Sequence, residues 1–170
     1  MVKNMSVCLN TNSAYKDFNR LVHDKYFVDK SDIIEKINTR INVKNRYICI
    51  TKPRRFGKTS VLNMLGAYYC KTYSSQKLFQ GLNISKSETF TAHLNQYNVM
   101  NLCLNDTPLD RSNFMAYIEQ INNSIINDIK EAYPQLKDKD FVKASDALNA
   151  TDDEFIFIID EWDYIFSNEL

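Results

Sequence analysis

Apolar positions along the chain recur with two different periods. The helical period is clearest at Phe114, Ile118, Ile121, Ile125 and Ile129, which predict a long amphipathic helix ending before Pro134. Val61, Leu62, Leu65, Tyr68 and Tyr69 share one face of a predicted helix over residues 59–71. Ile33, Ile34, Ile37 and Ile41 have the same spacing. Ser31 or Asp32 stands at the cap, and Glu35 lies three residues beyond Asp32, a start of the capping-box kind. Residues 14–24 predict a short helix and 137–149 a weaker one. Tyr26-Phe27-Val28 reads as a brief extended piece.

Three other segments are continuously apolar and rich in strand formers. They are Arg46–Thr51, bounded by Pro53, then Asn98–Leu104 and Phe155–Ile159. Unbroken apolar strands belong in a sheet covered on both faces, so all three, and Cys49 and Cys103 within them, are expected to be buried. Alternation of helix and strand predicts an α/β fold, a three-layer parallel sheet flanked by helices. No repeat or linker divides the chain.

The composition narrows the class. At 170 residues, 44% hydrophobic and 25% charged, this is the size and make-up of about one globular domain, not a coiled coil or a disordered chain. No apolar run approaches the ~20 residues of a membrane span, and residues 1–10 show no apolar leader. Cys8, Cys49, Cys70 and Cys103 form no CxxC pair, which fits a reducing, intracellular (cytoplasmic) setting without a zinc site. Only three glycines occur among 19 asparagines, so asparagine is expected at some left-handed positions. Net charge is zero but unevenly placed. Residues 40–58 hold seven bases and no acid; residues 152–163 hold six acids and no base.

Both charged segments sit at strand ends. Gly57-Lys58-Thr59 lies between the first predicted strand and its helix. The first N–H groups of a helix lack intrahelical partners, and the helix dipole favours an anion there. Gly57 lets backbone approach a phosphate, Lys58 reaches the β- and γ-phosphates, and the Thr59 hydroxyl suits Mg²⁺. The full phosphate-loop pattern needs a second glycine where Lys52 stands, so the motif draws its weight from its strand-to-helix position. The strand at 155–159 ends in Asp160-Glu161. Ligands of open α/β sheets bind at the carboxyl edge, where Asp160 suits Mg²⁺, through water, and Glu161 suits orienting or deprotonating an attacking water.

The string Thr51-Lys52-Pro53-Arg54-Arg55-Phe56-Gly57-Lys58-Thr59 resembles the phosphate loop (Walker A) of the AAA-ATPase-like family of P-loop NTPases, in which Pro-Arg-Arg-Phe-Gly-Lys is itself the signature. Three further segments are similar: Tyr26–Ser31, Leu78–Ile84, and Ile158–Asp163, the last matching the family's Walker B-like strand end with Trp162 in place of tyrosine. The resemblance implies an ATP-binding domain over residues 31–170, preceded by a lead-in over 1–30. Its cofactors would be ATP and Mg²⁺, with hydrolysis of ATP in the complete context. Arg54, Arg55, Phe56, Gly57, Lys58, Thr59 and Ser60 would hold nucleotide, Thr59 and Asp160 the metal, and Lys58 and Glu161 would act in catalysis. Relatives continue past this point with another strand, a sensor position and a helical lid, and commonly with a domain similar to PD-(D/E)XK nucleases. The C-terminal part of the ATPase domain is therefore expected to be missing here.

Two rivals stay open: a small-molecule kinase, and a non-catalytic nucleotide-dependent or nucleic-acid-associated module motivated by the basic stretch. Arg54 and Arg55 suit a γ-phosphate, a partner's carboxylate or a nucleic acid. Asp163 reads equally as a carboxylate behind the site or a surface residue, and Trp162 as packing beside it. Asp29 and Lys30 read as capping or local packing, Tyr68 and Tyr69 as core. His23 and His93 belong to no ligand cluster.

Overall fold

The computed structural model describes residues 8–51, 53, 55–104 and 114–163. They fall into two compact units, one of residues 12–97 and one joining the N-terminal segment to residues 98 onward. Together they hold helices and a parallel pair of strands, an α/β chain.

The 12–97 unit is built around α1 (Ser13–Val22) and α3 (Lys58–Tyr69), with α2 (Asp32–Asn38), α4 (Gln76–Phe79) and α5 (Phe90–His93) completing it. Its centre is aromatic: the Phe18 and Phe79 rings stack at 5.0 Å, and Tyr68 meets Phe79 edge-on at 5.3 Å. Phe18, Tyr68 and Tyr69 are fully buried, the two tyrosines as their helical spacing predicts. Buried phenols need partners, and they have them. Tyr68 donates to the Phe90 carbonyl at 2.6 Å and Tyr69 to Asn38 Oδ1 at 2.8 Å. Burial pushes both phenols above their ordinary pKa. Asn95, at φ +57°, donates from Nδ2 to the Cys70 carbonyl at 2.9 Å and accepts from the Ser75 N–H. Asn10 and Asn42 also have positive φ, the use of asparagine that scarce glycine implies.

The second unit carries the sheet. β1 (Asn98–Cys103) pairs in parallel with β2 (Phe155–Asp160), Asn98 opposite Phe155 and Cys103 opposite Asp160. Leu9 bridges Met100 in antiparallel fashion on β1. Between the strands in sequence come α6 (Phe114–Ala132) and α7 (Ala144–Asn149). Ile125, Ile126 and Ile129 of α6 share a core with Met100, Leu9 and Ala147. Asp128, also on α6 and buried, accepts the N–H groups of Cys8 and Leu9 at 2.6 and 2.8 Å. Burial, with the Asp128 charge, pushes the Cys8 thiol up to about 11, so it stays protonated near neutrality.

Four expectations are corrected. Residues 46–51 join no sheet, and Tyr47, Ile48 and Cys49 are exposed: a strand needs a neighbour's ladder of hydrogen bonds, and no described strand pairs with this one. β2 is not covered on both sides. Among the described residues its sheet has two strands, and Phe157 and Ile159 are 44% and 45% exposed. The capping box at α2 does not form: Ser31 makes no side-chain cap bond, and its Oγ instead accepts the Ile84 N–H at 3.1 Å. Residues 137–149 are helical only from Ala144.

Candidate functional site

Of the residues expected to hold phosphate, Gly57, Lys58, Thr59 and Ser60 form the start of α3. Gly57 is its N-cap, at φ +78° and ψ 35°, a left-handed conformation that costs a side-chain-bearing residue roughly 1–2 kcal/mol. Glycine at the cap supplies no side-chain hydrogen bond, and the first turn carries no acidic residue. The first turn of this 12-residue helix thus brings no anion of its own to the positive end of the helix dipole. Lys58, Thr59 and Ser60 occupy that first turn, Lys58 and Ser60 half-buried and Thr59 exposed. Phe56, 62% exposed, precedes them, and Arg55, exposed, sits at φ +67°. Arg54 and Lys52 lie outside the described residues.

A lysine that the sequence did not mark for this role braces the loop. Lys30 Nζ donates to the Phe56 carbonyl at 3.3 Å, and a Cβ at position 57 would come within 3.2 Å of the same Nζ. Lys30 is itself held in place by its neighbours. Asp29 accepts the Ser31 N–H at 2.8 Å and the Asn83 N–H at 2.7 Å, and Asn83 Nδ2 donates to Asp32. Tyr26–Ser31 and Leu78–Ile84, two segments picked out separately in the sequence, are thereby tied together. Burial works to raise the Asp29 carboxyl. Hydrogen bonds from Ser31 and Asn83, aided by the Lys86 charge, outweigh it and hold the group below its ordinary value. The signal available in sequence was the adjacency of Asp29, Lys30 and the helix start; the reach of 26 residues from Lys30 to Phe56 comes only with the fold.

In the other unit Asp160 ends β2, paired with Cys103 of β1, and its carbonyl accepts the Leu104 N–H at 3.2 Å. The Asp160 side chain turns back to accept the Glu161 N–H at 2.9 Å. Glu161 sits at φ +52°, a backbone region in which a non-glycine residue is held only by its surroundings. Both carboxylates are half-buried, while Trp162 is 52% exposed and Asp163 is exposed. His93 accepts or donates a 2.6 Å bond with Tyr97 Oη, and burial lowers its pKa. Among the described residues no three His, Cys, Asp or Glu side chains gather as a metal cage.

A family model described as a predicted AAA-ATPase matches residues 13–170. The chain belongs to the AAA-ATPase-like family. No curated protein and no solved structure matches it. Membership in the AAA-ATPase-like family points to nucleotide binding, and the acid-free first turn of α3 is chemically suited to it. Thr59 in one unit and Asp160 in the other each carry an oxygen donor, the ligand type a hard divalent cation takes. Mg²⁺ is ordinarily held by one or two carboxylates together with substrate phosphates and water, without a cage of protein ligands. No helix among the described residues is long and apolar enough to cross a membrane.

Proposed function

We propose that this AAA-ATPase-like chain binds Mg-ATP and, in its complete context, hydrolyses the β–γ bond. The observation that carries the reading is the start of α3: a left-handed Gly57 cap followed by Lys58, Thr59 and Ser60, with no acid in the turn. The Gly57–Ser60 backbone N–H groups receive the phosphates, Lys58 neutralises the β- and γ-phosphate charge, and Arg54, Arg55 and Phe56 complete the loop around them. Thr59 and Asp160 hold the metal, which when bound neutralises charge building on the phosphates. Glu161 orients the attacking water and accepts its proton. Residues 31–170 form the ATPase domain in this reading.

Nucleotide titration and phosphate release test it. Glu161→Gln keeps a carbonyl acceptor but removes the base, so ATP binding persists and turnover stops. Loss of binding in that variant would make Glu161 a structural residue instead.

A second reading draws on the basic stretch. Tyr47 is 86% exposed, with the Arg46 guanidinium 5.7 Å from its ring centroid, a pairing suited to stacking on bases. A nucleic-acid-associated module would bind DNA with a steep salt dependence that survives Lys58→Ala.

A further inference from the structure

The zero net charge of the chain conceals a division between its two units. Residues 12–97 hold fifteen lysines and arginines against six acids, a net charge of +9; the rest of the chain holds six against fifteen, a net −9. Within the basic unit, residues 36–87 contain eleven bases and no acid. Most of the unit's acids are engaged in local bonds. Asp17 pairs with Arg20, and Asp24 accepts the Tyr26 N–H. Asp29 accepts the N–H groups of Ser31 and Asn83, Asp32 the Asn83 side-chain amide, and Glu35 the Ser87 hydroxyl. A charge excess of this size attracts polyanions.

From the end of α2 onward that charge is on the surface, together with an aromatic ring. Lys36 and Arg40 are exposed, and residues 42–49, among them Lys44 and Arg46, are exposed without interruption. The Tyr47 ring is paired with the Arg46 guanidinium and open to solvent. Such a pair does what a lysine alone does not: a base stacks on the ring while the neighbouring cation meets the phosphate. Bases offer their faces in this way where they are not stacked in a duplex. A duplex is read by a helix or a two-stranded ribbon laid in its groove, and residues 39–51 form neither.

We infer that residues 36–51 bind single-stranded nucleic acid, with Tyr47 stacking on a base and Lys36, Arg40, Lys44 and Arg46 receiving phosphates. The inference rests on the nucleic-acid reading above and adds to it the class of strand and the surface that takes it. That surface is separate from the Gly57–Ser60 turn.

The test is binding of a labelled oligothymidylate to the full chain without nucleotide, beside a mixed-sequence duplex and phosphatidylserine vesicles. The single strand should bind more tightly than the duplex. Its affinity should fall with salt at a log–log slope of about −2 to −3, for three or four phosphates neutralised. Arg46→Ala should make the slope shallower by about 0.7. Tyr47→Ala should weaken the single strand about tenfold, and Tyr47→Phe, which keeps the ring, should bind as wild type does. Both side chains are exposed, so the unfolding midpoints of these variants should match wild type. Lys58→Ala should leave oligothymidylate binding unchanged. Duplex bound as tightly as the single strand, with Tyr47→Ala neutral, would overturn this surface and leave the broader nucleic-acid reading standing. Binding of neither nucleic acid would overturn both. Binding of vesicles but not of the strand would overturn both as well, and make the surface a membrane contact. Loss of oligothymidylate binding in Lys58→Ala would put the strand on the phosphate loop and overturn the inference too.

Discussion

Residues 46–51 and residues 155–160 are both short apolar runs, and each leads directly into candidate chemistry. The second is β2: it lies in register along β1, and Ile158 is 8% exposed. The first is exposed chain with no strand partner among the described residues, and Ile48 is 47% exposed. The difference teaches that an apolar run expresses a tendency, whereas a neighbouring backbone edge makes the strand. β2 has such an edge in β1, itself anchored by the Leu9 bridge and by α6. The segment before Gly57 has none among the described residues, yet the glycine cap and helix start are formed all the same. The order around Gly57 comes from α3 and from Lys30 rather than from a strand beneath it.

Substitutions can sharpen this contrast. The largest stability loss should come from Ile158→Ala, about 2–4 kcal/mol by denaturant unfolding, because it empties a buried position in the sheet. Asp128→Ala should follow at about 2–3 kcal/mol, since it strands the buried N–H groups of Cys8 and Leu9. Gly57→Ala forces a left-handed alanine against Lys30 Nζ and should cost roughly 1–2 kcal/mol, with nucleotide binding weakened as well. Ile48→Ser, the counterpart in the exposed run, should change stability by less than about 0.5 kcal/mol. A loss near that of Ile158→Ala would mean that residues 46–51 are buried in a sheet after all.

Acid should act through Asp29. Its folded pKa lies below the unfolded value, so the stability it contributes is fully present above the unfolded pKa, near 3.9. That contribution is lost as pH falls through the lower, folded value. Asp29→Asn should flatten this part of a stability–pH curve. An unchanged curve would remove Asp29 from the account of how Lys30 is held.

How far the fold was legible follows from which forces are local. α6 was readable because helical burial repeats every three to four residues, and β2 because five apolar residues end abruptly in two acids; α3 was readable as a helix, but residues 64–69 are buried all round rather than on one face. The helix start at Gly57-Lys58-Thr59 was readable from the apolar face that follows it, whereas the strand expected before it did not form. Pairing is not local, so nothing in Arg46–Thr51 itself distinguishes a strand from exposed chain. Side-chain choices were equally hidden. Ser31 has the right position for a cap but bonds to Ile84, 53 residues on, and Lys30 reads as an ordinary lysine until the fold brings Phe56 to it.

The central claim is that the start of α3 holds the phosphates of a nucleotide, and titration of wild type and Lys58→Ala with a fluorescent ATP analogue tests it most directly. Removing the ammonium should weaken binding tenfold to hundredfold, about 1.5–3 kcal/mol. Equal affinity in the two proteins would contradict the account.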